Sequence, residues 1–158
     1  MMNRQPLITA GTIIGIGMGG FLDGILFHQV LQIHSMLSST LPQDQLVNVK
    51  VSMVWDGLFH LLTWITTAIG LAMLWRAGKT RDCPWSGQTF WGGLIMGWGI
   101  FNVVEGIIDH YILGIHHVVE LYGLSVYDHI FVASGIVFIV IGIILIRRSA
   151  KSISSRPV

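Results

Sequence analysis

Leu7-Ile8-Thr9-Ala10-Gly11-Thr12-Ile13-Ile14-Gly15-Ile16-Gly17-Met18-Gly19-Gly20-Phe21-Leu22-Asp23-Gly24-Ile25-Leu26-Phe27-His28 is the stretch that decides the fold. It is long and apolar enough to cross a bilayer as a helix, which takes about 20 residues. It nevertheless closes on an aspartate and a histidine. Three further stretches have the same character: Val51 to Trp75, Phe90 to Ile112 and Val126 to Ile146. None alternates as a membrane β-strand does. The expected fold is therefore all-α, an integral membrane four-helix bundle forming a single domain over residues 1–158. Composition agrees, with 53% hydrophobic and only 11% charged residues, where a soluble domain carries about 25% charged. Trp55, Trp75, Trp85, Trp91, Tyr111, Tyr122 and Tyr127 fall near span ends, as interfacial aromatics do. The first apolar run has no small-residue cleavage site at a suitable distance, so it reads as a permanent helix rather than a leader. A single cysteine, Cys83, excludes an internal disulfide and a thiolate metal cluster.

The basic residues set the orientation. Arg4, Arg76, Lys79, Arg81, Arg147, Arg148, Lys151 and Arg156 fall on one side, and only Lys50 on the other. Positive charge is retained on the cytoplasmic side. Both termini and the loop between spans two and three are expected there. The loops at 35–50 and 113–125 are expected to face outward, to the periplasm or cell exterior.

The two halves resemble each other, about 7–76 against about 89–148. Asp23-Gly24 and His28 align with Glu105-Gly106 and His110 at an offset of 82, and so do Ile33-His34 and Ile115-His116. Val54-Trp55-Asp56 aligns with Val126-Tyr127-Asp128 at an offset of 72. Each half holds two spans, so the expected repeat is parallel, with its axis along the membrane normal. Gly11, Gly15 and Gly19, with Gly93 and Gly97, have the four-residue spacing that lets helices approach closely in lipid. Spans one and three are expected at the bundle centre.

All seven histidines lie in the outer half, with seven of the eight acids. Helical rise places His28, Asp56, His110, Asp128 and His129 in one layer, roughly 25–30 Å from the inner edge. Asp23, Glu105 and His60 fall about 20–22 Å up, and His34, His116 and His117 above both. Ionisable groups at membrane depth are costly and point to function, although in isolation Asp23 or His60 could equally be a structural pair. Asp56 and His60, four apart, share a helix face. Asp23 and His28, five apart, are turned about 140° from each other on a regular helix. Sites must then be assembled between helices, as in metal-carrying bundles.

The segments Gly20 to His28, Trp55-Asp56-Gly57-Leu58-Phe59-His60, Glu105 to His110 and Gly114-Ile115-His116-His117 resemble a family of bacterial four-span predicted membrane proteins catalogued as a domain of unknown function. The resemblance covers nearly the whole chain. It implies four spans and brings no activity. With the charge bias, the expected location is a bacterial inner (plasma) membrane.

Imidazole and carboxylate without thiolate suit copper, zinc, iron or nickel. The expected ligands are His28, His34, His60, His110, His116, His117 and His129, with Asp56. Asp23, Glu105, Asp109 and Asp128 are expected to orient those rings or relay protons, since metal-bound imidazole hands its second N–H to an acceptor. Copper is the first choice and zinc the second. Haem between His28 and His110 is a rival. The expected chemistry is redox turnover of a small molecule arriving from outside, such as superoxide or dioxygen. The alternative is a metal donor or assembly protein for a membrane oxidase. The expected surroundings are lipid, and either further copies of the chain or an oxidase, with no nucleic acid. Transport is not expected, because the inner half has no ionisable residue to carry an ion onward.

Overall fold

The computed structural model describes residues 2–154. Arg156, included in the charge bias, lies outside the described residues, as does the side chain of Lys151. Among the described residues every regular element is helical: α1 Gln5–Asp23, α2 Leu46–Lys79, α3 Gly87–Glu105 and α4 Val126–Ser154. The chain runs from α1 straight into a π-helical segment, Gly24–Val30, and from α3 into another, Gly106–Ile112. Counted with these extensions, four helices are long and apolar enough to cross a membrane.

Local chemistry explains the boundaries. Pro6 sits in the first turn of α1, where its missing N–H costs nothing. The Ser86 hydroxyl accepts the N–H of Thr89 and caps α3. Hydropathy placed the start of α2 at Val51, but the helix begins at Leu46. Its 34 residues make a rod of about 51 Å, longer than a hydrocarbon core of about 30 Å. The added residues carry Asn48 and Lys50, and the Asn48 amide donates to the Pro42 carbonyl of the preceding loop at 2.9 Å.

Helices α1 and α3 form the centre, α2 packs on α1 and α4 packs on α3. The central pair is in backbone contact. A Cβ placed on Gly15 would lie 2.0 Å from the Leu94 carbonyl oxygen, and one on Gly97 would lie 2.0 Å from that of Thr12. In lipid, where apolar surface gains nothing by leaving the solvent, such close van der Waals contact is what holds helices together. The expectation that spans one and three meet at their glycines therefore matches the packing. The outward faces of α2 and α4 carry exposed Leu61, Leu62 and Trp64, and Ile136, Val137 and Val140, a surface that only lipid solvates well.

At the histidine-bearing end both π segments stop in the same way. Leu31 N–H donates to the Leu26 carbonyl and Leu113 N–H to that of Ile108, each at 2.8 Å. The next residues, Gln32 (φ +50°) and Gly114 (φ +57°), are left-handed, and the chain turns back over the bundle. Glycine takes this conformation freely, whereas at Gln32 it carries strain.

Candidate metal centre

Asp23 with His28, and Glu105 with His110, are spaced five residues apart. A π-helix closes its hydrogen bonds from i to i+5, so residues five apart come onto one face. Nε2 of His28 lies 3.2 Å from Asp23 Oδ2, and Nε2 of His110 lies 3.2 Å from Glu105 Oε1. This corrects the expectation of 140° separation, which assumed α-helical winding through Gly24 and Gly106.

The left-handed turns produce the second correction. His34 and His116 were expected above the polar layers, but the chain reversal carries both rings down into the cluster. The His34 ring centroid lies 4.4 Å from that of His28 and 4.8 Å from that of His116, and His116 lies 4.9 Å from His110. Each reaches across to the other half of the chain. His34 Nδ1 donates to the Val118 carbonyl (3.0 Å), and His116 Nδ1 to the Met36 carbonyl (3.3 Å).

Asp56 on α2 and Asp128 on α4 stand behind this layer. Asp56 Oδ1 lies 2.9 Å from His28 Nδ1 and accepts the Met36 N–H at 2.8 Å. Asp128 Oδ1 lies 3.0 Å from His110 Nδ1 and accepts the Val118 N–H at 3.0 Å. The N–H and carbonyl of Met36 and Val118 thus tie a carboxylate of one half to a histidine of the other. Sequence reading missed these two residues because the groups that act are backbone atoms.

Two groups of side chains bring their ligand atoms within 4.8 Å of one another, His28 with His34 and His116, and Glu105 with His110 and His116. All are buried. Asp23, Asp56, Glu105 and Asp128 surround the four rings, and all four carboxylates are buried. No Lys or Arg forms an ion pair with them among the described residues. Buried carboxylates without cations are expensive, so protons or a metal cation must balance them. His116 shows the conflict at atomic scale. Its Nδ1 faces a carbonyl and its Nε2 lies 2.9 Å from Glu105 Oε1, so both nitrogens face acceptors while a neutral imidazole has one N–H. His34 differs. Burial, with the neighbouring His116 and His28 rings, pushes its imidazole down to about 3. It is therefore neutral, its proton is on Nδ1, and its Nε2 lone pair is buried without a hydrogen-bond partner. That is the state in which imidazole binds a metal. A purely structural set of ion pairs accounts for His28 and His110 but not for His34.

Other candidates stand apart. His129 follows Asp128 in α4, and adjacent helical residues point about 100° apart. With Asp128 facing inward, His129 is exposed and bonded to the Tyr111 hydroxyl. His60 stacks on Phe21 against Gly24, with Nε2 buried and unpartnered. It lies outside both ligand groups, and the Asp56 oxygen it was expected to share a face with is bonded to His28 and Met36. Asp109, beside His110, is half-buried and also outside both groups. His117 is half-buried, with Nδ1 3.6 Å from Asp128 Oδ1.

The chain belongs to the family described as Predicted membrane protein (DUF2243), whose profile matches residues 10–149. No curated protein and no solved structure matches it.

Proposed function

We propose that this is a membrane metalloprotein whose centre sits at the outer boundary of the bilayer and turns over a small oxygen species, superoxide or dioxygen, arriving from that side. His28, His34, His110 and His116 hold the ion, with Asp23 and Glu105 beside it and Asp56 and Asp128 orienting the rings. The observation that carries the reading is that each ring turns its Nδ1 to an acceptor: those of His34 and His116 bond carbonyls, that of His28 bonds Asp56, and that of His110 lies 3.0 Å from Asp128 Oδ1. Outer partners of this kind hold metal-bound imidazole in place.

Four imidazoles without thiolate favour copper first and zinc second. A bound copper would supply one-electron exchange. The chain's own contribution is to hold the rings in place and keep Asp23 and Glu105 where a proton can pass to or from the reacting molecule. Haem fits less well. The His116 ring lies between the proposed axial ligands, 5.6 Å from His28 and 4.9 Å from His110, which leaves no slot for a porphyrin. The second reading is a metal donor to a membrane oxidase, favoured by the cavity that reaches His28 and His34 from the loop side.

Elemental analysis of protein purified without a histidine tag, after supply of copper and of zinc, tests the centre. One or two equivalents are expected. Less than roughly a tenth of an equivalent of any transition metal would refute it. Tight metal with turnover on superoxide or dioxygen selects the enzyme, and ready transfer to an acceptor protein selects the donor.

A further inference from the structure

We infer that the His28 and His34 side of the centre is reached through a cavity of about 380 Å³ under the loop between α1 and α2, and that this mouth takes an uncharged hydrogen-bonding molecule rather than an anion. The inference rests on the metal-centre reading and narrows its substrate class.

The cavity reaches the buried His28, His34 and Asp56. Its walls carry the amides of Gln29, Gln32 and Gln43 and the hydroxyls of Ser35, Ser38 and Ser52. It has room for about a dozen waters. Among the described residues its acids are Asp56 and Glu120, and no Lys or Arg lines it. Both acids are held in place. Asp56 Oδ1 accepts the Met36 N–H and faces His28, while Glu120 accepts the hydroxyls of Ser38 and Ser39 at 2.6 and 2.8 Å. Glu120 stands in the wall beside those amides and hydroxyls with no Lys or Arg in the lining, so a small anion finds no cationic side chain to draw it in, while an uncharged molecule finds hydrogen bonds. Hydrogen peroxide meets that description in full and dioxygen only in its lack of charge, whereas superoxide is an anion.

The other half of the chain carries different groups at the corresponding positions. At the offsets of 82 and 72, Gln29, Ser35 and Ser52 correspond to Tyr111, His117 and Leu124. The His117 ring packs toward Asp128, and the Tyr111 hydroxyl bonds His129. A ring stands in place of Gln29 and of Ser35, and an aliphatic side chain in place of Ser52. The extra residues of the first loop, which include Gln43, have no counterpart in the second.

The mouth can be blocked after folding. Met53 lines the rim and is 62% exposed. Leu121, in the corresponding loop of the other half, is 85% exposed. Met53→Cys and Leu121→Cys would each be labelled with a bulky maleimide, native Cys83 being buried. The first readout uses metal-free protein: acylation of His28 and His34 by diethyl pyrocarbonate, located by mass spectrometry. The label at position 53 should slow it at least about tenfold and the label at 121 should leave it unchanged. The second uses copper-loaded protein: the absorption change on adding hydrogen peroxide or azide. Peroxide should act about tenfold faster, and the label at 53 should remove that advantage. Equal acylation with either label overturns the assignment of the mouth to this cavity. Azide acting as fast as peroxide overturns the selection against anions. Failure to load any metal defeats the metal reading and the ligand class with it, while the acylation pattern still judges the mouth.

Discussion

The Nδ1 atoms of His34 and His116 each donate to a carbonyl of the opposite half, so their protons are fixed away from the cluster and their Nε2 atoms face into it. For His34 this has a consequence for stability. Its folded imidazole titrates at about 3, against about 6.5 unfolded. Between these values the unfolded chain holds a proton that the folded chain does not. The stability is therefore fully present above about pH 6.5 and is lost as the pH falls towards 3, by at most about 1.4 kcal/mol per pH unit from this group. Thermal unfolding of metal-free protein in detergent should show the loss between about pH 7 and pH 5. His34→Gln should have a shallower acid slope, and an unchanged slope would mean that other groups set it. Residues behind the ligands make a second prediction. Asp56→Asn should lower metal affinity about 10–100-fold, as loss of a supporting carboxylate does, while His129→Ala should leave it unchanged in a chelator competition. Equal losses from both would place the site elsewhere. The inward face of Asp128 and the outward face of His129 were legible in their adjacency, since a helix cannot aim neighbours at one point. Counting both as site residues neglected that.

At the scale of elements, the four spans were legible because lipid cannot solvate a bare backbone, so each crossing must be a long apolar helix. The five residues that begin α2 were not, because Leu46 to Lys50 is mixed in polarity and its helix lies beyond the apolar run. The π segments left a trace that hydropathy does not register. Asp23 to His28 and Glu105 to His110 keep the same five-residue spacing, and each acid is followed by a glycine. Both glycines are pressed by a neighbouring helix: a Cβ on Gly24 would lie 2.5 Å from His60 Nε2, and one on Gly106 would lie 2.7 Å from Val132. Two acid–histidine pairs with a spacing wrong for an α-helix were a signal that the winding changes. The register is testable. Ile25 lies in the first π segment and is half exposed. Inserting one alanine after it would place His28 six residues from Asp23 and turn its ring about 120° from that carboxylate on an α-helix. Helix content by circular dichroism should stay near that of the parent while bound metal falls to background, whereas Ile25→Ala should bind metal normally. Retained metal in the insertion variant would show that the five-residue register does not set the site.

For the molecule as a whole, the question is whether an ion held among the four histidines can continue through the bilayer. The centre lies at one end of the bundle, and below it α1 and α3 close on each other. The positions of Gly11, Gly15, Gly93 and Gly97 have no room even for a methyl group, since a Cβ there would lie 2.0 to 2.8 Å from a carbonyl oxygen of the facing helix. No ion passes along an axis packed that tightly. The buried polar groups away from the histidine end include Thr63, Thr89, Asn102 and Ser149. All are uncharged, and their bonds go to one another or to nearby backbone and hydroxyls, as in Thr89 to Ser149 at 2.8 Å and Asn102 to Ser134 at 3.1 Å. A desolvated divalent cation would meet no counter-charge there. Transport through a fixed midplane site also needs interrupted helices around that site. Here the departures from α-helical winding, Gly24–Val30 and Gly106–Ile112, lie at the histidine end. Sealed proteoliposomes containing the protein should therefore bind copper or zinc at the exposed histidine end and accumulate none in the lumen, whatever pH gradient is imposed. Luminal uptake above protein-free vesicles, abolished by the double substitution His28→Ala and His110→Ala, would mean that α1 and α3 separate during a cycle and that the glycine contacts describe one state of a carrier.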